Sequence, residues 1–271
     1  MKKAFWTIPV LVCCALAVLF AARTAFAPSE PQSQRTHLKI GVEQNYHPFC
    51  YIGDNGKLTG FDVQLSIALC RRMNRVCSVV PMQFSELLPA LREERLDMLV
   101  AGVGETEERR RDFAFSNTYY RSRSFFITSD PSLRKIDVDI AARLVIGVQK
   151  GSLQQEFIEK AFVPAGARMI VYDTYQDTVT AINKGEINVI FTDGIPGYAI
   201  LNSPEGKNLF IGGRPNPSKD WPAESSLTEA KIAARLADQE LIDEVNQTLL
   251  KMQADGEYQE LHARFFPFVN F

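Results

Sequence analysis

Leu38-Lys-Ile-Gly-Val-Glu-Gln44 and Leu144-Val-Ile-Gly-Val-Gln-Lys150 are two versions of one stretch. Each is followed by a second matching pair, Ala90-Leu-Arg-Glu-Glu-Arg-Leu-Asp-Met-Leu-Val-Ala-Gly102 and Ala181-Ile-Asn-Lys-Gly-Glu-Ile-Asn-Val-Ile-Phe-Thr-Asp193. The first pair reads as a short strand and the second as helix, turn and strand. Self-similarity of this kind marks one supersecondary unit built twice. Two α/β lobes facing each other bring the carboxyl ends of their strands around one crevice, where open α/β sheets bind ligands. The most polar punctuation falls there: Gly102-Val-Gly-Glu-Thr-Glu-Glu-Arg109 in one half, Thr192-Asp193-Gly194 in the other.

Working outward, Leu38–Val42, Val76–Pro81, Leu96–Ala101, Phe113–Tyr120 and Ser124–Thr128 read as strands. Asp54-Asn-Gly56 turns a hairpin, and apolar residues at helical spacing place a helix over Phe61–Met73. A second helix is expected over Ser85–Glu94 with Ser85 as N-cap, and a short one after Thr106. The second half predicts strands at Val145–Val148, Met169–Tyr172, Val189–Phe191, Leu209–Ile211 and Ala230–Arg235. Its helices are expected at Leu153–Ala161, Thr174–Asn183, residues 194–202, Gln239–Ala254 and Glu257–Phe265, with Asp255-Gly256 as a turn between the last two. The expected division is lobe 1 from 37–121 plus 225–271 and lobe 2 from 122–224, the two crossings forming a hinge.

A chain of 271 residues, 46% hydrophobic and 23% charged, fits one or two globular domains. Residues 1–27 carry Lys2 and Lys3, an apolar run from Ala4 to Ala22, and Ala25-Phe-Ala27 as a cleavage pattern. They read as an export signal. The length of the run and Pro28 after the cut keep a retained membrane anchor as the other reading. Either way the folded part lies outside the cytoplasm, after a flexible lead-in over 28–36. Without residues 1–27 the net charge of −2 becomes −5, and no basic tract appears, so nucleic acid is not an expected partner.

Cys70 and Cys77 flank a short segment, a spacing that suits a helix-to-strand disulfide in an oxidising compartment; two buried thiols are the other reading. Cys50 is left over as a small apolar filler. His37, His47 and His262 lack metal spacing, no nucleophile-elbow serine is present, and no cofactor is expected. Gly102 and Gly104 carry no Cβ, and their backbone N–H groups ahead of a helix suit an anion. Arg109, one turn in, could hold a carboxylate bidentately, or be a solvated member of the run Arg109-Arg-Arg111. Asp193 ends a strand facing the other lobe and could meet an ammonium, or simply serve the turn before Gly194. Together the two clamps describe an α-amino acid site.

Leu38-Lys-Ile-Gly-Val, Tyr46-His-Pro-Phe49, Gly56-Lys-Leu-Thr-Gly-Phe-Asp62, Leu87-Leu-Pro-Ala-Leu91, Thr106 with Arg109, Phe115-Ser116 with Tyr119-Tyr120, and Asp255-Gly with Tyr258 carry a further signal. In this combination, across 38–271, the chain resembles the periplasmic amino-acid-binding proteins of ABC importers. The lysine/arginine/ornithine- and histidine-binding branch, which carries a disulfide where Cys70 and Cys77 fall, is nearest. The resemblance implies a two-lobed, hinge-closing α/β fold of the periplasmic-binding-protein type (type II). It implies a monomer without enzyme activity that delivers an amino acid to a membrane permease. It also implies the site. Tyr46 and Phe84 sandwich the ligand side chain, and the Gly102 carbonyl and Asp193 hold the ammonium. The Gly104 N–H, Arg109 and the Leu153 N–H hold the carboxylate, and Glu43 and Gln154 line the side-chain end. The chain departs from the family at Gly104, where a hydroxyl residue is usual, at Glu105, which replaces an apolar residue, and at Ala101 and Leu153. An enzyme on the same fold, such as a cyclohexadienyl dehydratase with Glu43 or Glu105 as cleft acid, is the alternative, as is a receptor for another solute.

Overall fold

The computed structural model describes residues 37–214 and 229–267. The expectations for 1–36 lie outside the described residues, as does most of the return crossing. Residues from His37 onward form one compact unit built around two five-stranded sheets.

The first sheet has the order β4-β1-β5-β12-β6. Its strands are β1 (His37–Glu43), β4 (Val76–Met82), β5 (Met98–Val103), β6 (Phe113–Arg121) and β12 (Glu229–Arg235). The second has the order β11-β7-β10-β8-β9, with β7 (Phe125–Thr128), β8 (Val145–Gln149), β9 (Arg168–Tyr172), β10 (Val189–Thr192) and β11 (Phe210–Gly213). A hairpin of β2 (Tyr51–Ile52) and β3 (Leu58–Thr59) stands apart, turned at Asp54-Asn-Gly56 as expected.

The repeat is visible in the pairing. β1 lies parallel between β4 and β5, as β8 lies parallel between β9 and β10. Ile40 stands opposite Met98 in the first sheet, and its counterpart Ile146 stands opposite Val189 in the second. The glycine of each Ile-Gly-Val serves one packing purpose. A Cβ on Gly41 would come within 2.5 Å of Leu96 Cδ1, and one on Gly147 within 2.4 Å of Ile187 Cδ1. Leu96 and Ile187 hold matching places in the second repeated stretch, so each half packs its own turn over its first strand.

Seven helices are described: α1 (Phe61–Arg72), α2 (Phe84–Arg92), α3 (Leu153–Ala161), α4 (Tyr175–Asn183), α5 (Gly194–Leu201), α6 (Gln239–Ala254) and α7 (Glu257–Phe265). α6 buries Ile242, Val245, Leu249 and Met252, one stripe at helical period. Each such side chain contributes roughly 1.5–3 kcal/mol on burial. α4 is opened by a capping box between Thr174 and Asp177. The α6–α7 break comes at Gly256, in the left-handed region at φ 88°. Arg72 meets Asp255 at 2.5 Å and ties the end of α1 to that turn.

Three expectations are corrected. α2 begins at Phe84 with Gln83 as N-cap, so Ser85 lies inside the first turn; its start is set by Phe84 packing on a cluster with Leu87 and Leu91. The helix after Thr106 shrinks to a single 3-10 turn, Arg109–Arg111. Gly104 therefore does not open a helix, and the dipole argument for an anion there lapses. β5 runs two residues later than expected, carrying Gly102 inside it. A 3-10 segment at Val138–Arg143 carried no periodic signal.

Cys70 and Cys77 are joined by a disulfide, with their Cα atoms 6.2 Å apart. Cys50 is buried and free beside Val42 and Val63, and burial pushes its thiol up to about 12.

Candidate functional site

The site is assembled from residues that hold matching places in the two halves. β1 ends at Glu43 and β8 at Gln149, and the two side chains meet: Gln149 Nε2 donates to Glu43 Oε1 at 2.5 Å. Glu43 is 3% exposed. Burial pushes its carboxyl up to about 8, against the Gln149 bond, with the Asp193 charge adding to the rise. Phe84 and Tyr175 stand first in α2 and α4. Tyr46, held by the tight turn in which its N–H donates to the Cys50 carbonyl at 2.8 Å, stacks on Phe49 at 5.5 Å and meets Tyr175 edge-on at 5.8 Å. Phe84 is half-buried on the opposite cluster. Among the described residues no ring contact joins it to Tyr46.

Gly102 and Asp193 are the third matching pair. Asp193 caps α5: its Oδ1 accepts from the Ile195 N–H at 3.0 Å and from the Ser122 hydroxyl at 2.6 Å. Ser122 belongs to the crossing between β6 and β7, so that crossing orients the carboxylate. Burial raises the Asp193 carboxyl from its ordinary value, while the Ser122 and Ile195 bonds pull it down.

Arg109 reaches the other lobe. Its backbone N–H is held by Thr106 Oγ1 at 3.1 Å. Nη1 donates to the Gly104 carbonyl at 2.8 Å and Nη2 to the Gly151 carbonyl at 3.0 Å. Burial lowers its pKa, yet a guanidinium stays charged in proteins. The Arg109 contact with Gly151 thus crosses the cleft, as the Glu43–Gln149 bond does.

Leu153 opens α3 behind the N-cap Ser152, whose Oγ accepts from the Gln155 N–H at 3.1 Å. Gln154 Nε2 donates to Ser124 Oγ at 3.0 Å. Glu105 is engaged by Lys231 and by Arg110 Nε at 3.0 Å, so this carboxylate has two basic partners. Among the described residues no group of three His, Cys, Asp or Glu could hold a metal ion.

Gln149, Tyr175 and Ser122 escaped the sequence reading. The repeat carried the signal for two of them, since Gln149 is the counterpart of Glu43 and Tyr175 of Phe84. Nothing in the sequence marks Ser122, whose role depends on the crossing lying beside α5.

Residues 38–268 match the bacterial extracellular solute-binding proteins, family 3, and the chain belongs to that family. The Histidine-binding periplasmic protein of Escherichia coli (strain K12) is 28% identical over 255 residues, covering 93% of this chain and 95% of that one. The Arginine-binding periplasmic protein of Mannheimia haemolytica is 30% identical over 229 residues, covering 83% of this chain and 90% of that one. Among solved structures, an ancestral arginine-binding protein bound to arginine superposes with a TM-score of 0.76 at 25% identity, covering 86% of this chain and 99% of that one. The fold is accordingly the two-lobed type II arrangement.

Proposed function

We propose that the chain captures a polar or cationic α-amino acid between its lobes, outside the cytoplasm, and presents it to the permease of an ABC-type importer. The observation that carries this is the charge distribution: Glu43 and Asp193 stand at the carboxyl ends of strands in opposite lobes, and the Arg109 guanidinium, held on the Gly104 and Gly151 carbonyls, joins the two halves. An α-amino acid matches that set. Its carboxylate takes Arg109, with the Gly104 and Leu153 N–H groups beside it. Its ammonium takes Asp193 and the Gly102 carbonyl. Its side chain lies between Tyr46 and Phe84 and reaches Glu43 and Gln154. A ligand cation or amide adds a partner to the buried Glu43 carboxyl, while an aliphatic ligand leaves it with Gln149 alone and an acidic one adds repulsion. The histidine- and arginine-binding relatives support this class of ligand. A ligand touching both lobes favours the closed state by its differential contacts, with the crossing near Tyr120–Ser124 as its hinge.

A thermal-shift screen of the twenty common amino acids plus ornithine tests this. A true ligand at a hundred times its Kd adds roughly 2.7 kcal/mol to stability. Shifts confined to lysine, arginine, ornithine, histidine or glutamine support the reading; no shift with any amino acid refutes it.

A further inference from the structure

The register between β5 and β12 slips between the pairs Lys231–Val103 and Ala233–Leu99. Gly102 lies in that slip. Irregularities of this kind re-aim backbone groups beside binding sites, and they leave amides outside the ladder that must find other partners. β6 supplies them. Ser116 Oγ accepts from the Ile232 N–H at 2.9 Å, and Tyr119 Oη accepts from the Gly102 N–H at 2.8 Å. Tyr119 Oη in turn donates to Asp62 Oδ1 at 2.9 Å. Asp62 is 1% exposed and Tyr119 2%. The next residue closes the other side: a Cβ on Gly102 would meet the Tyr120 hydroxyl at 2.6 Å. Gly102 holds φ +61°, a left-handed conformation that only an external grip and a missing side chain make stable.

We propose that Asp62 and Tyr119 are positioning residues: the chain from Asp62 Oδ1 through Tyr119 Oη to the Gly102 N–H holds the backbone on the amino side of Gly102, so that the left-handed turn at this residue aims the Gly102 carbonyl at the ligand's α-ammonium. A buried carboxyl that touched only core would be a cost without return, since an apolar side chain of similar volume would avoid the desolvation. Here the carboxyl, carried by α1, accepts from the β6 hydroxyl of Tyr119 that in turn accepts from the Gly102 N–H. Burial raises the Asp62 carboxyl well above its ordinary value, opposed by the Tyr119 bond. The relay needs an acceptor oxygen at position 62 for the Tyr119 hydroxyl. This rests on the amino-acid reading above.

The test compares L-arginine with its des-amino analogue, guanidinovalerate, by calorimetry, with displacement of L-arginine where binding is weak. Tyr119→Phe removes the acceptor for Gly102; it should raise the Kd for L-arginine roughly tenfold and that for the analogue less than about twofold. Asp62→Asn keeps an acceptor for Tyr119 and should stay within about threefold of wild type for both. Because both variants leave buried groups altered, the amide resonance of Gly102 in the wild type gives a second measure: it should move on addition of L-arginine and much less with the analogue. Equal losses for both ligands in Tyr119→Phe, unchanged L-arginine binding, or equal movement of the resonance overturns the relay while the amino-acid reading stands. A wild type that binds no α-amino acid overturns both.

Discussion

Glu43 and Gln149, counterparts in the two halves of the repeat, hydrogen bond to each other across the lobes at 2.5 Å. A glutamine side chain there presents a carboxamide N–H to a carboxyl that burial has pushed up to about 8. The ligand's side chain has the same kind of donor to offer, with a charge in addition.

Cation binding should therefore expel a proton. Near pH 7 most Glu43 carboxyls are protonated, and a guanidinium selects the ionised form. Calorimetry in two buffers of different ionisation heat should show nearly one proton released per L-arginine bound at pH 7. The affinity should tighten by up to about tenfold per pH unit on rising toward 8. Glu43→Gln should release none and show a flat profile. A wild type that releases no proton refutes the assignment.

The same shift sets a stability trend without ligand. Glu43 is raised from 4.5 to about 8 in the folded state, so the folded protein holds this proton more tightly than the unfolded chain. The contribution is fully present below about pH 4.5 and is lost as pH rises through about 8. Glu43→Gln should gain on wild type by up to a few kcal/mol between pH 6 and 9, the gap closing in acid. Urea melts across pH measure it; a gap that widens in acid has the wrong sign.

Arg109→Ala and Asp193→Ala should each cost about 2–5 kcal/mol of binding to L-arginine, because truncation leaves the ligand's opposite charge buried and unpaired. Ser122→Ala, which removes one of the bonds on Asp193 Oδ1, should cost about 1 kcal/mol. All three should melt cooperatively. Wild-type affinity in either charge variant contradicts the clamp.

Cys50 should resist alkylation in the folded protein, since burial has raised its thiol to about 12 and the thiolate is the reactive form. Mass mapping after iodoacetamide should find Cys50 modified only in denaturant and Cys70 linked to Cys77. The link closes a short loop, so its reduction should cost no more than about 3 kcal/mol.

Much of this was legible in the sequence where local chemistry decides. α3, α6 and α7 lie where the sequence placed them, since Ser152, the apolar stripe of α6 and the Asp255-Gly256 break are local signals. The strand pair Leu38–Val42 and Val145–Val148 was legible from its repeat. The turn after Thr106 was overread as a helix because a cap and two acids cannot show that Phe113 starts a strand so soon after. The partners of Asp193 and Gly102 were hidden, because Ser122 and Tyr119 reach them only through the crossing and the slipped register. The Glu43–Gln149 bond depends on how the lobes meet, which no local pattern encodes.

The central claim is that this cleft takes a cationic or polar α-amino acid, and calorimetric titration of the purified protein against L-arginine, L-lysine, L-ornithine, L-histidine, L-glutamine, L-leucine and L-glutamate tests it most directly. The account predicts one site per chain, tightest for a cationic ligand, next for glutamine, with leucine and glutamate weakest. Tightest binding of leucine or glutamate, or turnover of prephenate with no amino-acid binding, would contradict it.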